Sequence, residues 1–151
     1  MGTRGFTVKI PKQIAITVSL EQGTVYLFSE ESFDTTTPHF FIILNKNPVE
    51  DPFLIMTCAT SQVEKRYEWV KKNGLDLETI VPIDESSYKF LNRETVVDCN
   101  QLLQRTKEVL MDKYDSGNLK LKGKVTQKDL NRIINGVRKS KLVSKSHKNL
   151  L

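Results

Sequence analysis

The sequence predicts a mainly β protein of the α+β class, built as a small, partly closed β-barrel with appended helices. Two patterns support this prediction: short runs of β-branched and aromatic residues recur between turn residues, and a capped amphipathic helix follows them near the end of the chain. The length of 151 residues, with 38% hydrophobic and 27% charged residues, is typical of one globular domain spanning residues 1–151.

The centre of the predicted sheet is a β-hairpin. Two apolar runs, residues 40–44 (FFIIL) and 53–56 (FLIM), are separated by a polar segment that contains Asn47, Pro48 and Pro52. Apolar runs of this length, bounded by turn residues, favour two neighbouring strands.

Further strands are predicted on both sides of this hairpin. Residues 14–20 (IAITVSL) and 24–28 (TVYLF) are rich in β-branched and aromatic residues, and both favour strands. Residues 79–83 (TIVPI) contain Pro82, which has no N–H to donate, so they predict an edge strand. Residues 95–98 (TVVD) predict the last strand of the sheet.

Two helices are indicated by spacing and end signals. Residues 62–74 carry apolar side chains at helical spacing and end in Asn73-Gly74, a common helix C-terminus. The spacing of leucines and valines predicts that residues 100–110 are partly helical, and residues 113–124 favour a loop or a hairpin.

The clearest local signal is a helix that begins after Thr126. Asp129 follows this predicted N-cap by three residues, which is close to a capping box. An apolar stripe at helical spacing, predicted to cover the sheet, consists of Leu130, Ile133, Ile134 and Val137.

The two ends of the chain carry few packing signals. Residues 1–13 predict a loose N-terminal arm or an edge strand, and residues 143–151 predict a basic, frayed tail.

Positive charge is concentrated in the last third of the chain. Residues 1–100 carry 10 Lys and Arg against 14 Asp and Glu, whereas residues 101–151 carry 13 against 4. This excess indicates either an anionic partner or a solvated lysine-rich surface. No apolar run approaches the roughly 20 residues of a membrane helix, and the N-terminus lacks the apolar stretch of a signal peptide, so we expect a cytoplasmic protein without membrane association.

The cysteines and histidines do not form a metal-binding pattern. Cys58 and Cys99 belong to no CxxC pair, and His39 and His147 complete no ligand spacing. We therefore expect two buried free thiols, no metal site and no cofactor.

Chemically capable side chains flank the predicted hairpin. His39 precedes its first strand, and Thr60 and Ser61 follow its second. In an antiparallel pair the start of one strand lies near the end of the other, so we predict that the imidazole and both hydroxyls share a site. Ordinary roles are possible for all three, as a packed or surface histidine and as a Thr-Ser turn or helix cap.

Five segments of the chain match a known pattern in their order and spacing. They are residues 21–28 (EQGTVYLF), 38–44 (PHFFIIL), 53–61 (FLIMTCATS), 94–102 (ETVVDCNQL) and 123–140 (GKVTQKDLNRIINGVRKS). Over roughly residues 20–142, the chain resembles the MazF/PemK-type toxins of bacterial toxin–antitoxin pairs.

The resemblance implies a fold and an activity. The implied fold is an SH3-like barrel of the plasmid-maintenance-toxin type with helices, usually assembled as a homodimer. The implied activity is metal-independent endoribonuclease cleavage of single-stranded RNA, silenced by a cognate antitoxin that binds over the cleft.

The match to the family's catalytic motif is partial. Thr60 and Ser61 align with the Thr-Ser pair of the family, but its arginine position falls at Pro38 or His39. An arginine keeps its charge and would neutralise the phosphate throughout the reaction, whereas a histidine is typically only partly protonated near neutral pH. Either His39 replaces the arginine as a general acid or base, or the site has lost cleavage.

The resulting site hypothesis assigns a role to each residue. His39, Thr60 and Ser61 are the predicted catalytic residues. The predicted RNA-binding residues, which bind phosphates or stack on bases, are Lys65, Arg66, Tyr67, Phe40, Lys122 and Lys124.

Two other classes of function stay open at this stage. One is a non-catalytic module that binds nucleic acid or protein on the same barrel, which the missing arginine favours. The other is a small interaction domain with no role in nucleic-acid binding, whose affinity for its partner would be insensitive to salt.

Overall fold

The centre of the protein is one antiparallel sheet. The computed structural model describes residues 11–33 and 35–151. The strands are β1 (Thr24–Phe28), β2 (His39–Ile43), β3 (Leu54–Thr60), β4 (Ile80–Ile83), β5 (Thr95–Arg105) and β6 (Leu119–Lys124). Their order across the six-stranded sheet is β4-β5-β3-β2-β1-β6. Within the described residues the edge strands β4 and β6 do not pair with each other, so the predicted α+β class is confirmed but the partly closed barrel is corrected to an open sheet.

Helices cover both faces of this sheet. They are α1 (Lys12–Ser19), α2 (Val63–Lys72), α3 (Lys107–Asp115), α4 (Gln127–Lys139) and α5 (Lys145–Lys148), with single 3₁₀ turns at Leu77–Thr79 and Glu85–Ser87. In the described part of the chain, no helix combines the length and apolar character that crossing a membrane requires.

The predicted central hairpin is confirmed as β2 and β3. They pair antiparallel, with Ile43 opposite Met56. The buried Asn45 organises the turn between them, because its amide oxygen accepts from the Ile55 backbone N–H (2.8 Å) and its amide nitrogen donates to the Phe53 carbonyl (3.0 Å). This side chain satisfies backbone groups that the proline-containing turn leaves unpaired.

The two faces of the sheet are covered differently. We call the face covered by α4 the back face; it carries Val25, Ile42, Ile55 and Val97. We call the other the front face; α1 and α3 cover its β1 side, where it carries Tyr26, Phe28, Phe41 and Met56. At the other side of the front face, α2 packs over Ile80 and Val96 of β4 and β5.

The segment after β1 folds over the front face. Glu30 is buried there and accepts a hydrogen bond from Nε of Arg105 at 3.2 Å. Lys113 of α3 donates to the Ser29 carbonyl at 2.9 Å. These contacts hold the segment so that Phe33 packs against the aromatic residues of the front face.

Two predicted helix ends are confirmed. The Thr126 hydroxyl accepts a hydrogen bond from the Asp129 backbone N–H (3.2 Å) at the start of α4. After α2, Gly74 adopts a φ of +63°, a left-handed conformation that glycine reaches without strain. Pro82 lies in the edge strand β4, also as predicted.

The predicted strand at residues 14–20 is wrong, because residues 14–19 belong to α1 and Leu20 follows the end of that helix. Ile16 and Leu20, four residues apart, are buried against the front face, whereas Ile14 and Val18 are exposed. Packing at helical spacing outweighed the strand preference of the β-branched residues. The predicted N-terminal arm lies largely outside the described residues, and its last residues, 12 and 13, belong to α1.

The predictions for residues 95–124 need correction. β5 continues to Arg105, so residues 100–105 are strand rather than helix, and only residues 107–110 of the predicted helical stretch are helical. Leu102 and Leu103 are adjacent in sequence and pack on opposite faces of the sheet. Their distance along the sequence from Val109 and Leu110 of α3 is compatible with a helix, which is why the pattern predicts one there. β6 follows β5 as the last strand.

The predicted frayed tail is also wrong. Residues 145–148 form α5, which begins with the Ser144 hydroxyl accepting from the His147 backbone N–H at 3.2 Å. The Lys46 backbone N–H donates to the Leu150 carbonyl at 2.8 Å, and Leu150 and Leu151 pack on the back face. Terminal leucines therefore anchor the basic segment to the sheet.

The contact between α4 and the back face gives a stability prediction. Ile133 is fully buried, so Ile133→Asp places an unpaired carboxylate in this interface and should lower the free energy of unfolding by more than about 3 kcal/mol. Urea denaturation followed by the fluorescence of Trp69, the single tryptophan, measures this. Asn131→Asp adds the same charge at an exposed position of α4 and should change the value by less than about 0.5 kcal/mol. Equal effects of the two variants would contradict the packing described.

Candidate functional site

His39 and Thr60 lie side by side at one end of the central hairpin. Phe40 pairs with Ala59, and one step further along these antiparallel strands His39 opposes Thr60. Opposed residues on neighbouring strands have Cβ atoms about 4.5–5.5 Å apart. Strand register therefore brings together the imidazole and the hydroxyl that the sequence analysis placed in one site.

The imidazole of His39 lies against aromatic side chains of the front face. Its ring centroid is 5.2 Å from that of Phe33, edge to face, and 6.4 Å from that of Phe41. Its Nδ1 is buried and has no hydrogen-bond partner. Leaving a buried polar atom unsatisfied costs about 1–3 kcal/mol. Such an atom in a native fold calls for a bound water or ligand as its explanation.

Thr60 is the last residue of β3, and Ser61 begins the turn that leads to α2. The Thr60 hydroxyl oxygen accepts a hydrogen bond from the Gln62 backbone N–H at 3.1 Å. This bond uses only the oxygen, so the hydroxyl proton can still be donated to a ligand. Ser61 is exposed beside it. The turn therefore offers hydroxyl donors at the rim of the front face.

A buried carboxylate and an arginine lie on the same part of the front face. Asp98 of β5 opposes Cys58, which is two residues before Thr60 on β3. Arg66 reaches it from α2, with Nη1 3.5 Å from Asp98 Oδ2. The Asp98 side chain is only 5% exposed, and its other oxygen accepts from the Asn100 backbone N–H at 3.0 Å. Asp98 is thus anchored, and Arg66 lies over it.

Cys58 is a neutral thiol between these groups and the aromatic cluster. Burial raises its pKa to about 12, an effect that Asp98 reinforces and Arg66 opposes. A thiol with this pKa is not a nucleophile at neutral pH. Cys99 lies on the back face, where burial also raises its pKa. Both cysteines are free thiols, and among the described residues no group of three His, Cys, Asp or Glu could hold a metal ion.

The aromatic residues predicted to stack on RNA bases lie elsewhere. Phe40 packs on the back face, with its ring centroid 5.2 Å from that of Phe90, and is therefore on the opposite side of the sheet from the His39 ring. Tyr67 lines a groove of about 400 Å³ beside β4. The rings described in contact with the His39 imidazole are those of Phe33 and Phe41, not those of Phe40 or Tyr67.

The predicted basic residues fall into two groups. Lys65 is exposed on α2, next to Arg66 and close to the site. Lys122 and Lys124 are exposed on β6, three strand positions from β3, and Lys124 forms an ion pair with Glu21. If these two lysines bind RNA, they contact nucleotides far from the one that lies at His39 and Thr60.

Comparison with known proteins identifies the fold. No family model matches the chain, and no curated protein matches it. Two similar solved structures are an endoribonuclease from Mycobacterial species and an endoribonuclease in complex with its cognate antitoxin from Mycobacterial species. Each is 13% identical, with a TM-score of 0.50 over 79% of this chain and 88% or 89% of the other. The Mycobacterium tuberculosis toxin MazF-mt6 has a TM-score of 0.49, 13% identity and coverage of 76% and 91%.

The chain has a MazF-like toxin fold. The resemblance inferred from five sequence segments is therefore confirmed at the level of the fold. Four of the five segments contribute the strands β1, β2, β3 and β5 of the sheet.

Two neighbours of the site in this MazF-like fold were not singled out from the sequence as site residues. Cys58 precedes Thr60 by two positions, a spacing that places both side chains on one face of a strand. Asp98 is an acidic residue inside the apolar run TVVDC, where a charge requires a partner. Its partner, Arg66, lies 32 residues away in sequence, and no local pattern connects the two.

The raised pKa of Cys58 predicts slow alkylation. At pH 8 a thiol with a pKa of about 12 is almost entirely protonated, so iodoacetamide should label Cys58 about 10³-fold more slowly in the folded protein than in urea. Mass spectrometry of the Cys58 peptide over time measures both rates. Rapid labelling of Cys58 in the folded protein would contradict the burial of its thiol.

Proposed function

We propose that this protein is a toxin-like endoribonuclease that cleaves single-stranded RNA without a metal ion. The observation that carries the proposal is the position of His39 opposite Thr60, one step beyond the Phe40–Ala59 pair, on a MazF-like fold, with His39 Nδ1 left unsatisfied. A toxin-like fold supplies the context, and the side chains at this end of the hairpin supply the chemistry.

The reaction that suits these side chains is internal phosphoryl transfer. The ribose 2′-oxygen attacks the adjacent phosphorus and the bond from phosphorus to the 5′-oxygen breaks, which leaves a 2′,3′-cyclic phosphate and a 5′-hydroxyl. The 2′-hydroxyl loses a proton, and the leaving 5′-oxygen gains one. His39 performs one of these proton transfers, and solvent completes the other. The Thr60 and Ser61 hydroxyls donate to the non-bridging phosphate oxygens.

The basic side chains at the start of α2 support binding of the RNA backbone. Lys65 and Arg66 lie in the first turn of α2, the helix that follows the Thr60-Ser61 turn, and both are proposed to bind the phosphates next to the cleaved bond. Positive side chains bind nucleic acid through its phosphates, independently of sequence. The exposed residues 35–38, just before His39, border the site and are proposed to set the preferred RNA sequence.

A cognate antitoxin is the proposed protein partner. One structural neighbour is an endoribonuclease in complex with its cognate antitoxin. We propose the same kind of partner for this chain, together with assembly as a homodimer and a cytoplasmic location. A partner that covers the His39–Thr60 end of the hairpin would block access of RNA to all three proposed catalytic residues.

The proposal predicts a loss of activity in a histidine variant. His39→Ala should lower the rate of cleavage of a labelled single-stranded RNA, measured with EDTA present, by about 10²–10⁴-fold, because a positioned acid or base contributes that much. The same variant should relieve growth arrest when the protein is expressed in bacteria. His147→Ala is the matched control, since this histidine lies in α5 and bonds to Gln104. The proposal fails if both variants cleave like the wild type.

A non-catalytic RNA-binding module is the second candidate. It is favoured by the departure from the family motif, because Pro38 and His39 occupy the expected arginine position. For such a module we expect wild-type protein to bind single-stranded RNA in a gel shift, with binding that weakens as salt rises, and to leave both RNA and bacterial growth intact.

A further inference from the structure

Unsatisfied polar atoms converge on one part of the front face. Among the described residues, three buried side-chain atoms lack a hydrogen-bond partner: His39 Nδ1, Arg66 Nε and Asp98 Oδ2. They come from β2, α2 and β5: His39 and Asp98 lie on the front face of the sheet, and Arg66 reaches Asp98 from α2. Since buried polar atoms in native proteins are nearly always satisfied, this convergence indicates a site for a polar ligand.

The pair formed by Arg66 and Asp98 is incomplete. The nitrogen–oxygen distance of 3.5 Å is too long for a strong charge-assisted hydrogen bond, which is typically 2.7–2.9 Å. The Asp98 side chain is only 5% exposed, so its carboxylate is largely removed from solvent. Its Oδ2 atom nevertheless accepts no hydrogen bond from the protein. The contact is therefore an ion pair that a better partner for the guanidinium can replace.

The two members of the pair differ in freedom. Asp98 is fixed by the Asn100 N–H on its side chain and by the Thr57 hydroxyl, which donates to its backbone carbonyl. Arg66 lies on a surface helix with 29% of its side chain exposed. A long, partly exposed arginine can shift while the buried carboxylate stays in place.

The distance to the catalytic pair suits a phosphate ligand. Thr60 pairs with Val96 across β3 and β5, so Asp98 is its diagonal neighbour, at about 7–8 Å between backbone positions. A guanidinium held over Asp98 can thus reach a phosphate placed beside Thr60. Its planar fork of donors matches the paired oxygens of a phosphate.

We propose that Arg66 is the phosphate-binding cation of this site and that Asp98 is a positioning residue which holds the guanidinium until RNA displaces it. The inference rests on the proposed ribonuclease function and extends it. The guanidinium that positions 38 and 39 lack is supplied from α2 instead. In the empty site Asp98 competes with anions for Arg66, so RNA binding includes the release of this ion pair.

Competition between Asp98 and RNA for Arg66 predicts opposite effects of substituting the two residues on RNA affinity. We expect Arg66→Gln to weaken binding of an RNA with a 2′-deoxy sugar at the cleavage site by about tenfold or more. It should also reduce the slope of log affinity against log salt by about 0.7, the value for one phosphate contact in a single strand. Asp98→Asn should strengthen binding severalfold and lower KM with little change in kcat, because it frees the guanidinium in the empty site only.

A double-mutant cycle tests the inference by fluorescence anisotropy. Asp98→Asn should strengthen binding in wild-type protein but have little effect in the Arg66→Gln background. An equal gain in both backgrounds would mean that Asp98 acts only through its general negative charge, which would overturn the inference. Lys72→Gln, which removes one positive charge from the exposed last turn of α2, is the matched control and should leave cleavage unchanged.

The outcomes also separate this inference from the proposed function. If wild-type protein cleaves RNA and Arg66→Gln binds and cleaves equally well, the role of Arg66 is overturned while the ribonuclease proposal stands. If wild-type protein neither binds nor cleaves single-stranded RNA, both fall. Arg66→Lys gives a second measurement that is independent of the Asp98 variant: it keeps the charge but not the fork, and should recover the salt slope without full recovery of kcat.

Discussion

The antiparallel register of β2 and β3 is the constraint on which the site depends. Side chains alternate between the two faces of a strand, so a slip of one residue would move His39 from the front face to the back. The register is secured at the turn end, where buried Asn45 bonds to the backbone at Phe53 and Ile55. The contacts of Asn45 at the turn therefore also fix which residues face each other at the opposite end of the hairpin, where His39 and Thr60 lie.

The front face combines tight apolar packing with buried polar groups whose hydrogen bonds are incomplete. Its β1 side is an apolar aromatic cluster in which Phe28 and Phe41 stack with ring centroids 4.3 Å apart. At its other side, α2 packs over Val96. Between these layers lie an imidazole nitrogen, a guanidinium and a carboxylate that are not fully satisfied. Unsatisfied buried groups reduce stability, and folds retain them mainly where a ligand completes their bonding.

The distribution of charge around the site differs from the pattern that the resemblance implies. The motif position for arginine holds Pro38 or His39, and Arg66, on the helix that follows the Thr60-Ser61 turn, places a guanidinium over Asp98. A MazF-like fold makes this exchange geometrically possible, because α2 begins where β3 ends and packs over β5. What a ligand would meet is a cation already held by a buried carboxylate, rather than one free in solvent.

The sequence by itself determined the elements whose signals are local: the apolar runs of the central hairpin, the Thr126 cap of α4, the glycine after α2 and, through the antiparallel pairing of two adjacent strands, the proximity of His39 to Thr60. Tertiary structure alone decided that residues 14–19 are helical, that β5 continues to Arg105, that the terminal leucines pack on the sheet, and that Arg66 pairs with Asp98. The physical reason is the distance along the sequence between the residues that interact. Caps and turns depend on neighbouring residues, whereas these outcomes depend on which distant surfaces become buried together.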